Sequence, residues 1–240
     1  MNDISCVIFA AGKGTRMNID IAKCAYPFLD KPMILRIVEE IKKISNDICV
    51  VVGYKKEDIK SILNDNVQYA YQKEQNGTAD ALLSSIDFWK NKKGILLILL
   101  GDTPLIDSDI IKKLINTHIN EKNDMTIITT ILDNPTGYGR IIKENKIIKK
   151  IKEEKELNDI EKQINEINTG IYAININILE DALLKINNNN KNKEFYLTDI
   201  VEILSKDKKV GTCYINESYK LEGVNDLKTL TKLENMIKNK

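Results

Sequence analysis

Short apolar runs alternate with amphipathic segments through residues 1–132. The apolar runs are nearly continuous, which is typical of strands that are buried on both faces of a sheet. They predict strands over 5–11, 48–52, 67–71, 95–100 and 125–132. The intervening segments predict helices over 32–44, 57–63, 79–89 and 109–119, the last capped by Asp107 or Ser108. This alternation predicts an α/β fold with a mostly parallel sheet, in which ligands bind beyond the carboxyl ends of the strands.

The pattern changes in the second half of the chain. Two apolar runs, 139–143 and 147–152, flank a polar turn at Glu144 and Asn145, which predicts a β-hairpin. A charged and partly helical segment follows over 153–166, and an asparagine-rich loop is expected over 187–193. The remaining pattern predicts strands over 167–174 and 210–215 and helices over 178–186, 197–204 and 227–237. We expect this half to add a small lobe over one edge of the sheet.

Composition and charge narrow the classes of function. A chain of 240 residues with 42% hydrophobic residues and a net charge of +1 fits a globular protein, without the basic excess of a general nucleic-acid binder. The longest apolar run, 95–100, is too short to span a bilayer, and no signal peptide is visible. We therefore expect a cytoplasmic protein with no nucleic-acid or membrane partner.

The cysteines and the single histidine suggest structural roles. The four cysteines are widely scattered, without metal-ligand spacing, and are interpreted as buried reduced thiols: Cys6, Cys24, Cys49 and Cys213. His118 lies in a predicted helix with no apparent partner, and we expect it to be exposed or structural.

The first strand leads into a glycine-containing loop, FAAGKGTRM at 9–17. A dinucleotide fingerprint needs a third glycine where Met17 stands, and a P-loop needs a glycine where Val7 stands. Both motifs are therefore rejected. What remains is a flexible backbone whose N–H groups could face anionic oxygens, followed by cations that suit phosphate. By itself this loop could equally be a glycine turn with solvated cations.

Further motifs follow in a recognisable order. After the loop come Lys23 and the segments QKEQNGTA at 72–79, LGDTPL at 100–105, NPTGYGRI at 134–141, EINTG at 166–170 and EGVN at 222–225. Together they resemble the sugar-phosphate nucleotidyltransferase family, in particular the uridylyltransferase domain of bacterial bifunctional enzymes that make UDP-N-acetylglucosamine. The resemblance covers essentially the whole chain. It implies the nucleotide-diphospho-sugar transferase fold, a Rossmann-like mixed sheet with helices on both faces and a small β-rich sugar-binding lobe.

The resemblance implies a role for each matching residue. It implies catalytic roles for Arg16 and Lys23, and a Mg²⁺ ion on Asp102 and Asn225. The nucleotide would be bound by Ala10, Ala11, Gly12, Lys13, Gly14, Gln72, Gln75, Gly77, Thr78 and Asp102. The sugar would be bound by Tyr138, Gly139, Glu153, Asn168 and Thr169.

Several of these residues also have structural readings. The segment that begins at Gln72 could be a polar loop with a helix cap at Thr78, and Asp102 could be a turn residue. Glu153 lies in a run of charges, so Glu154 or a solvated face remains possible. The Gly137–Gly139 stretch could be only the entry to the hairpin.

The implied reaction is transfer of a uridylyl group from UTP to N-acetylglucosamine 1-phosphate, with release of pyrophosphate. Two alternatives remain open: transfer to another sugar 1-phosphate such as glucose 1-phosphate, and a non-catalytic regulatory subunit that binds nucleotide sugars. Two positions depart from the family pattern, since Ala22 stands where proline is usual and Leu100 where many relatives have a polar residue.

The resemblance also implies a division of the chain. A nucleotidyltransferase domain would span 1–226, and a C-terminal helix over 227–240 resembles a linker arm. We see no hexapeptide repeats, so we expect the acetyltransferase β-helix domain to be absent and leave the oligomeric state open.

Overall fold

The computed structural model describes residues 3–239, which contain eleven strands and eight α-helices. The strands are β1 (Ile4–Ala10), β2 (Pro27–Phe28), β3 (Lys31–Pro32), β4 (Ile48–Val52), β5 (Gln68–Tyr71), β6 (Ile95–Leu100), β7 (Met125–Ile131), β8 (Arg140–Glu144), β9 (Ile147–Lys152), β10 (Glu166–Asn175) and β11 (Val210–Tyr214). The helices are α1 (Met33–Lys42), α2 (Lys56–Leu63), α3 (Thr78–Leu83), α4 (Ile86–Trp89), α5 (Ser108–Asn120), α6 (Leu179–Leu183), α7 (Asp199–Leu204) and α8 (Leu227–Lys238).

The main sheet has the strand order β11–β7–β10–β6–β1–β4–β5. Strands β6, β1, β4 and β5 are parallel to one another, and β7 is parallel to β11. Strand β10 runs antiparallel to both of its neighbours, β6 and β7. The predicted mostly parallel mixed sheet is therefore confirmed, and the carboxyl ends of β1 and β6 lie side by side.

Helices cover both faces of this sheet, as predicted. Alternate residues of β1 point to opposite faces, so Cys6 and Ile8 join one buried cluster and Val7 joins the other. The first cluster includes the apolar faces of α1, α2 and α5, and the second includes those of α3, α4, α6 and α7. Burial on both faces explains why the strands are continuous apolar runs.

The predicted hairpin forms the small lobe. Strands β8 and β9 pair with each other, and β8 joins the main sheet through the pair Ile167–Arg140. The turn lies one residue later than expected, at Asn145 and Lys146, which both have positive φ values (49° and 67°). Two consecutive residues with positive φ fit the right-handed twist of a tight hairpin.

One predicted helix is divided in the structure. The segment 79–89 forms α3 and α4, which are separated at Ser84 and Ser85. The hydroxyl of Ser84 donates to the carbonyl of Asp80 (2.9 Å), and that of Ser85 donates to the carbonyl of Leu82 (2.8 Å). Such side-chain bonds compete with the helical ladder and favour a break.

Helix α8 packs on a third, smaller cluster. Leu230 and Leu233 are buried against Met17 and Val224, together with Phe28 and Met33. The four cysteines are buried and free, as the sequence predicted. Within residues 3–239, no helix has the length and apolarity needed to cross a membrane.

Candidate functional site

A cleft of about 460 Å³ opens beyond the carboxyl ends of β1 and β6. It is the place where the sheet topology predicts a ligand. The cleft brings together many of the residues expected from the sequence: Ala10, Ala11, Gly12, Lys23, Gln72, Gln75, Gly77, Thr78, Asp102 and Glu153.

The glycine loop follows β1 and carries two cationic side chains, Lys13 and Arg16. Gly14 has a φ of +60°, and a Cβ atom there would lie 2.6 Å from the Cβ atom of Lys23. The backbone at Gly14 thus requires glycine for both conformation and space. Lys13 and Arg16 are exposed and form no ion pair among residues 3–239, while the adjacent Met17 is buried in the α8 cluster. Lys13 and Arg16 are therefore available to a ligand, while the buried side chain of Met17 holds the end of the loop in place.

Lys23 and Asp102 line the cleft, and Lys23 contacts both Asp102 and Asn225. The ammonium group of Lys23 donates to Oδ2 of Asp102 and, at 3.2 Å, to Oδ1 of Asn225. The side chains of Lys23 and Asp102 are only 14% and 13% exposed. Burial alone would lower the pKa of Lys23, but the charge and hydrogen bond of Asp102, together with a smaller effect of Cys24, raise this pKa overall. Lys23 is therefore a cation held by an anion.

Asp102 and Asn225 fit a hard divalent cation. Oδ1 of Asp102 is buried and has no hydrogen-bond partner among the described residues, so one carboxylate oxygen is uncommitted. The backbone N–H of Val224 donates to the Asp102 carbonyl (2.7 Å), which fixes the two segments together. Gly223 leaves room, since a Cβ atom there would lie 3.4 Å from Oδ1 of Asp102. A carboxylate and an amide oxygen are ligands that Mg²⁺ accepts, with water and phosphate completing its shell.

Gln72 closes the loop that follows β5. Its buried amide group donates to the carbonyl of Gly77 (3.1 Å) and to Oδ2 of Asp80 (2.7 Å). The sequence analysis assigned the Gln72 segment to nucleotide recognition, and a glutamine amide usually offers both a donor and an acceptor. In the structure both hydrogens are used within the protein, so the amide carbonyl oxygen is the group left for a ligand.

The start of α3 is fixed by the segment before α7. A Cβ atom on Gly77, whose φ is +117°, would lie 2.3 Å from the carbonyl oxygen of Phe195. The hydroxyl of Thr78 accepts from the backbone N–H of Leu197 (2.9 Å). The possible helix cap at Thr78 is therefore wrong: Thr78 is the first residue of the helix, and its hydroxyl accepts from the segment before α7 instead of capping α3.

Glu153 reaches the cleft, and Glu154 does not. Oε1 of Glu153 accepts a hydrogen bond from the hydroxyl of Thr198 (2.8 Å), and burial raises the pKa of Glu153. Glu154 instead forms an ion pair with buried Arg140 (2.9 Å). Arg140 also donates to the carbonyl of Tyr138, so it joins the segment before β8 to the segment after β9. This geometry favours Glu153 over Glu154 as the residue that faces a ligand.

The other residues expected to bind the sugar lie behind Glu153. The backbone N–H of Asn168 donates to the carbonyl of Gly139 (2.9 Å), and a Cβ atom on Gly139 would lie 3.5 Å from Oε2 of Glu153. The Asn168 amide donates to the hydroxyl of Tyr172 (2.9 Å). Thr169 donates its hydroxyl hydrogen to the carbonyl of Ile128 (2.8 Å), which ties β10 to β7. Among the described residues these three do not line the cleft.

The phenol of Tyr138 is largely buried and feels the charge of two carboxylates. Burial, followed by the carboxylates of Glu222 and Asp102, raises the pKa of its phenol to about 12. The hydroxyl therefore stays protonated and can donate a hydrogen bond. Tyr138 lines a neighbouring cavity together with Glu222 and is not among the residues that line the cleft.

Two residues that line the cleft, and one that supports it, were missed in the sequence. Glu194 and Tyr196 line the cleft, and Thr198 holds Glu153 from the start of α7. Thr198 lies 45 residues from Glu153, so no local spacing could connect them. Several carboxylates lie near Glu153. Burial, and then the charges of Glu153, Glu202 and Glu156, raise the pKa of Asp199 to about 6.

Comparison with known proteins decides the family. Residues 5–235 match the family model described as "Nucleotidyl transferase". The chain belongs to this family. The nucleotidyltransferase is 43% identical over 234 residues to the "Bifunctional protein GlmU" of Acholeplasma laidlawii, which covers 97% of this chain and 51% of that protein. It is 42% identical to the GlmU protein of Clostridium beijerinckii over 237 residues, covering 98% of this chain and 52% of that protein.

The chain spans about half the length of these curated relatives. Solved structures at lower identity confirm the fold. A putative glucose-1-phosphate thymidylyltransferase from Bacillus anthracis has a TM-score of 0.77 at 20% identity, covering 98% of this chain and 95% of that one. A UDP-glucose pyrophosphorylase complexed with UDP-glucose has a TM-score of 0.79 at 19% identity, covering 100% and 99%. The nucleotidyltransferase therefore has the predicted fold.

Proposed function

We propose that the chain transfers a uridylyl group from UTP to N-acetylglucosamine 1-phosphate, giving UDP-N-acetylglucosamine and pyrophosphate. The observation that carries this proposal is the meeting of Lys23, Asp102 and Asn225 beside the glycine loop. A binding module for nucleotide sugars would not need this combination of phosphate cations and cation ligands. Identities of 37–43% to several GlmU proteins along nearly the whole chain support the same reaction.

Uracil would lie against the segment from Gln72 to Thr78. The carbonyl oxygen of Gln72 is the part of that amide still free, and it can accept from the N3–H group of uracil. Cytosine has no hydrogen at N3, so the fixed orientation of Gln72 favours uracil. Gln75, Gly77 and Thr78 would border the base, and Ala10, Ala11 and Gly12 the rest of the nucleoside.

The triphosphate would lie along the glycine loop. Arg16 can bind two phosphate oxygens at once, Lys13 supplies a point charge, and the N–H groups around Gly14 can face the same anion. These groups would bind the departing pyrophosphate, while Lys23 would contact the α-phosphate. Their contribution is positioning and charge neutralisation, which dominate catalysis of phosphoryl-type transfer.

Asp102 and Asn225 would hold a Mg²⁺ ion. The bound ion would neutralise charge on the phosphate oxygens of both substrates. No group within the cleft is needed as a general base, because the attacking phosphate oxygen of the sugar is already anionic. His118 takes no part in this scheme, since it is buried between Thr126 and Asn175.

The sugar would occupy the end of the cleft near Glu153. A carboxylate can accept from sugar hydroxyls. Tyr138 and Asn168 do not line the cleft, so their donors would reach polar groups such as an acetamido oxygen only where the sugar extends beyond it. Gly139 allows close approach beside Glu153. We assign Thr169 a supporting role in the same wall, since its hydroxyl hydrogen is used by Ile128. Four free, buried cysteines are compatible with a reaction in the cytoplasm.

A substrate matrix tests the proposal. Pyrophosphate release is measured for UTP, CTP, ATP and dTTP, each with N-acetylglucosamine 1-phosphate, glucosamine 1-phosphate and glucose 1-phosphate, in the presence of Mg²⁺. We expect the highest kcat/KM for UTP with N-acetylglucosamine 1-phosphate. Preference for another pair would contradict the assigned specificity. Tight binding of UDP-N-acetylglucosamine without release from any pair would instead indicate a non-catalytic binding subunit.

A further inference from the structure

The ammonium group of Lys23 contacts both residues that the proposed function assigns to a metal ion. It contacts Asp102 Oδ2 and Asn225 Oδ1, and both charged side chains are largely shielded from water. Lys13, Arg16 and Lys23 lie in the same stretch of chain, yet only Lys23 is paired in this way among the described residues. The pairing is therefore specific to the position of Lys23.

We infer that Lys23 is an internal counter-ion that competes with the divalent cation for Asp102 and Asn225. In the nucleotide-free chain the ammonium keeps the metal out, and the metal binds once Lys23 has moved to the α-phosphate of the nucleotide. This inference rests on the proposed function, which supplies the two alternative partners of Lys23.

Charge balance is the reason for the competition. Asp102 carries one negative charge, and the neighbouring ligand, the Asn225 amide, is neutral. An ammonium and a divalent cation on one shielded carboxylate would repel each other strongly, because little water screens them. Without nucleotide, one cation must therefore exclude the other.

Nucleotide removes this conflict. Its α-phosphate offers the ammonium a new anionic partner, and the short shift needed is available to a lysine with a flexible four-carbon stem. The vacated oxygens can then bind the metal. Nucleotide and metal should thus favour each other's binding, with Lys23 as the group that couples them.

Mn²⁺ titration of the nucleotide-free protein tests this competition. Free Mn²⁺ is followed by electron paramagnetic resonance in the wild-type chain and in Lys23→Met, which keeps the length of the stem and removes the charge. We expect the Kd for Mn²⁺ to fall by about tenfold or more in Lys23→Met. Lys31→Met is the matched control, because Lys31 is also paired with a carboxylate, that of Glu39 at 2.9 Å. Its Kd should equal that of the wild type.

The double variant Lys23→Met, Asp102→Asn tests whether the tighter Mn²⁺ binding of Lys23→Met takes place at Asp102. Loss of the tighter binding in the double variant supports the inference, and its persistence overturns it. Equal Mn²⁺ affinity in wild type and Lys23→Met, or no binding to either at millimolar Mn²⁺, also overturns it. Lys23→Gln replaces Lys23→Met if circular dichroism shows that the methionine variant is unfolded.

The titration contains neither UTP nor sugar phosphate, so it can fail while the transferase activity is present. Conversely, a chain that releases no pyrophosphate can still show the competition. The two hypotheses are therefore separable.

Discussion

The hydroxyl of Thr198 donates a 2.8 Å hydrogen bond to Oε1 of Glu153. Burial raises the pKa of Glu153, and this hydrogen bond opposes the rise. Thr198 therefore stabilises the ionised carboxylate that faces the proposed sugar site. Thr198 is a positioning residue, since it acts on the ligand through Glu153.

Thr198→Val should weaken sugar binding and change its pH dependence. We expect the KM for the sugar 1-phosphate to rise about tenfold at pH 8, because a hydrogen bond to a charged group is lost. The pKa of Glu153 should rise further, so the acidic limb of kcat/KM should move to higher pH. Steady-state kinetics from pH 5.5 to 9 measure both effects. Thr198→Ser, which keeps the hydroxyl, should restore the wild-type profile; an unrestored profile would refute the role of the bond.

Gly14→Ala should disturb both the loop and Lys23. An alanine at a φ of +60° is strained by about 1 kcal/mol, and its Cβ atom would meet the stem of Lys23 at 2.6 Å. We expect a lower Tm and a weaker affinity for UTP, measured by thermal denaturation and calorimetry. At Gly12 an added Cβ atom meets nothing within 4 Å and φ is not positive, so Gly12→Ala should leave the Tm unchanged. Equal losses of Tm in the two variants would contradict the steric argument.

The parts of the fold that the sequence predicts are those encoded by local patterns. Continuous apolar runs identified β1, β4 and β6 because burial on both faces of a sheet leaves no room for polar alternation. The direction of β10 was not predictable, since an apolar run has the same pattern in either direction. The break between α3 and α4 was missed because it depends on two serine hydroxyls that bind backbone carbonyls.

In the candidate site, too, local sequence predicts some features, and others depend on contacts between distant segments. Asp102 was identifiable because it follows the most apolar strand, and residues at such strand ends meet ligands. Its contact with Lys23 joins residues 79 positions apart, and only the completed sheet brings them together. The orientation of the Gln72 amide depends likewise on Asp80, in the first turn of a helix whose place is set by the segment before α7. Local sequence therefore predicts candidate residues better than it predicts their partners.

Arg16→Ala should reduce catalysis while leaving the fold intact. Arg16 is exposed and has no ion pair within residues 3–239, so its removal breaks no structural contact of that kind. We expect kcat/KM for UTP to fall by about 100-fold or more, as for loss of a group that stabilises phosphate charge. Arg16→Lys should recover only part of this loss because an ammonium cannot bind two oxygens in a planar fork. Near-normal turnover of a folded Arg16→Ala protein would remove Arg16 from the mechanism.

His118 should make the fold sensitive to acid. The imidazole lies between the hydroxyl of Thr126 and the amide oxygen of Asn175, each at 3.0 Å, and faces the carboxylate of Asp124 more weakly. Burial lowers its pKa, so the neutral ring is the form that the fold favours. Its contribution is present above the unfolded pKa of about 6.5 and is lost as pH falls below that value. Urea unfolding at pH 7 and pH 5 should show a smaller pH-dependent loss in His118→Gln than in the wild type. An identical loss would show that the ring does not stay neutral.

Leu233→Ala should show that the packing of α8 positions the phosphate-binding loop at 9–17. Leu233 is fully buried against Met17, the neighbour of Arg16, and against Val224, the neighbour of Asn225. The cavity should cost about 3 kcal/mol in the free energy of unfolding, and the loosened cluster should raise the KM for UTP. Leu227 lies on the same helix and is 43% exposed, so Leu227→Ala should change stability by less than about 0.5 kcal/mol and leave the KM unchanged. Urea unfolding and kinetics on both variants check the coupling. A destabilised Leu233→Ala with an unchanged KM would mean that α8 stabilises the domain without positioning its phosphate-binding residues.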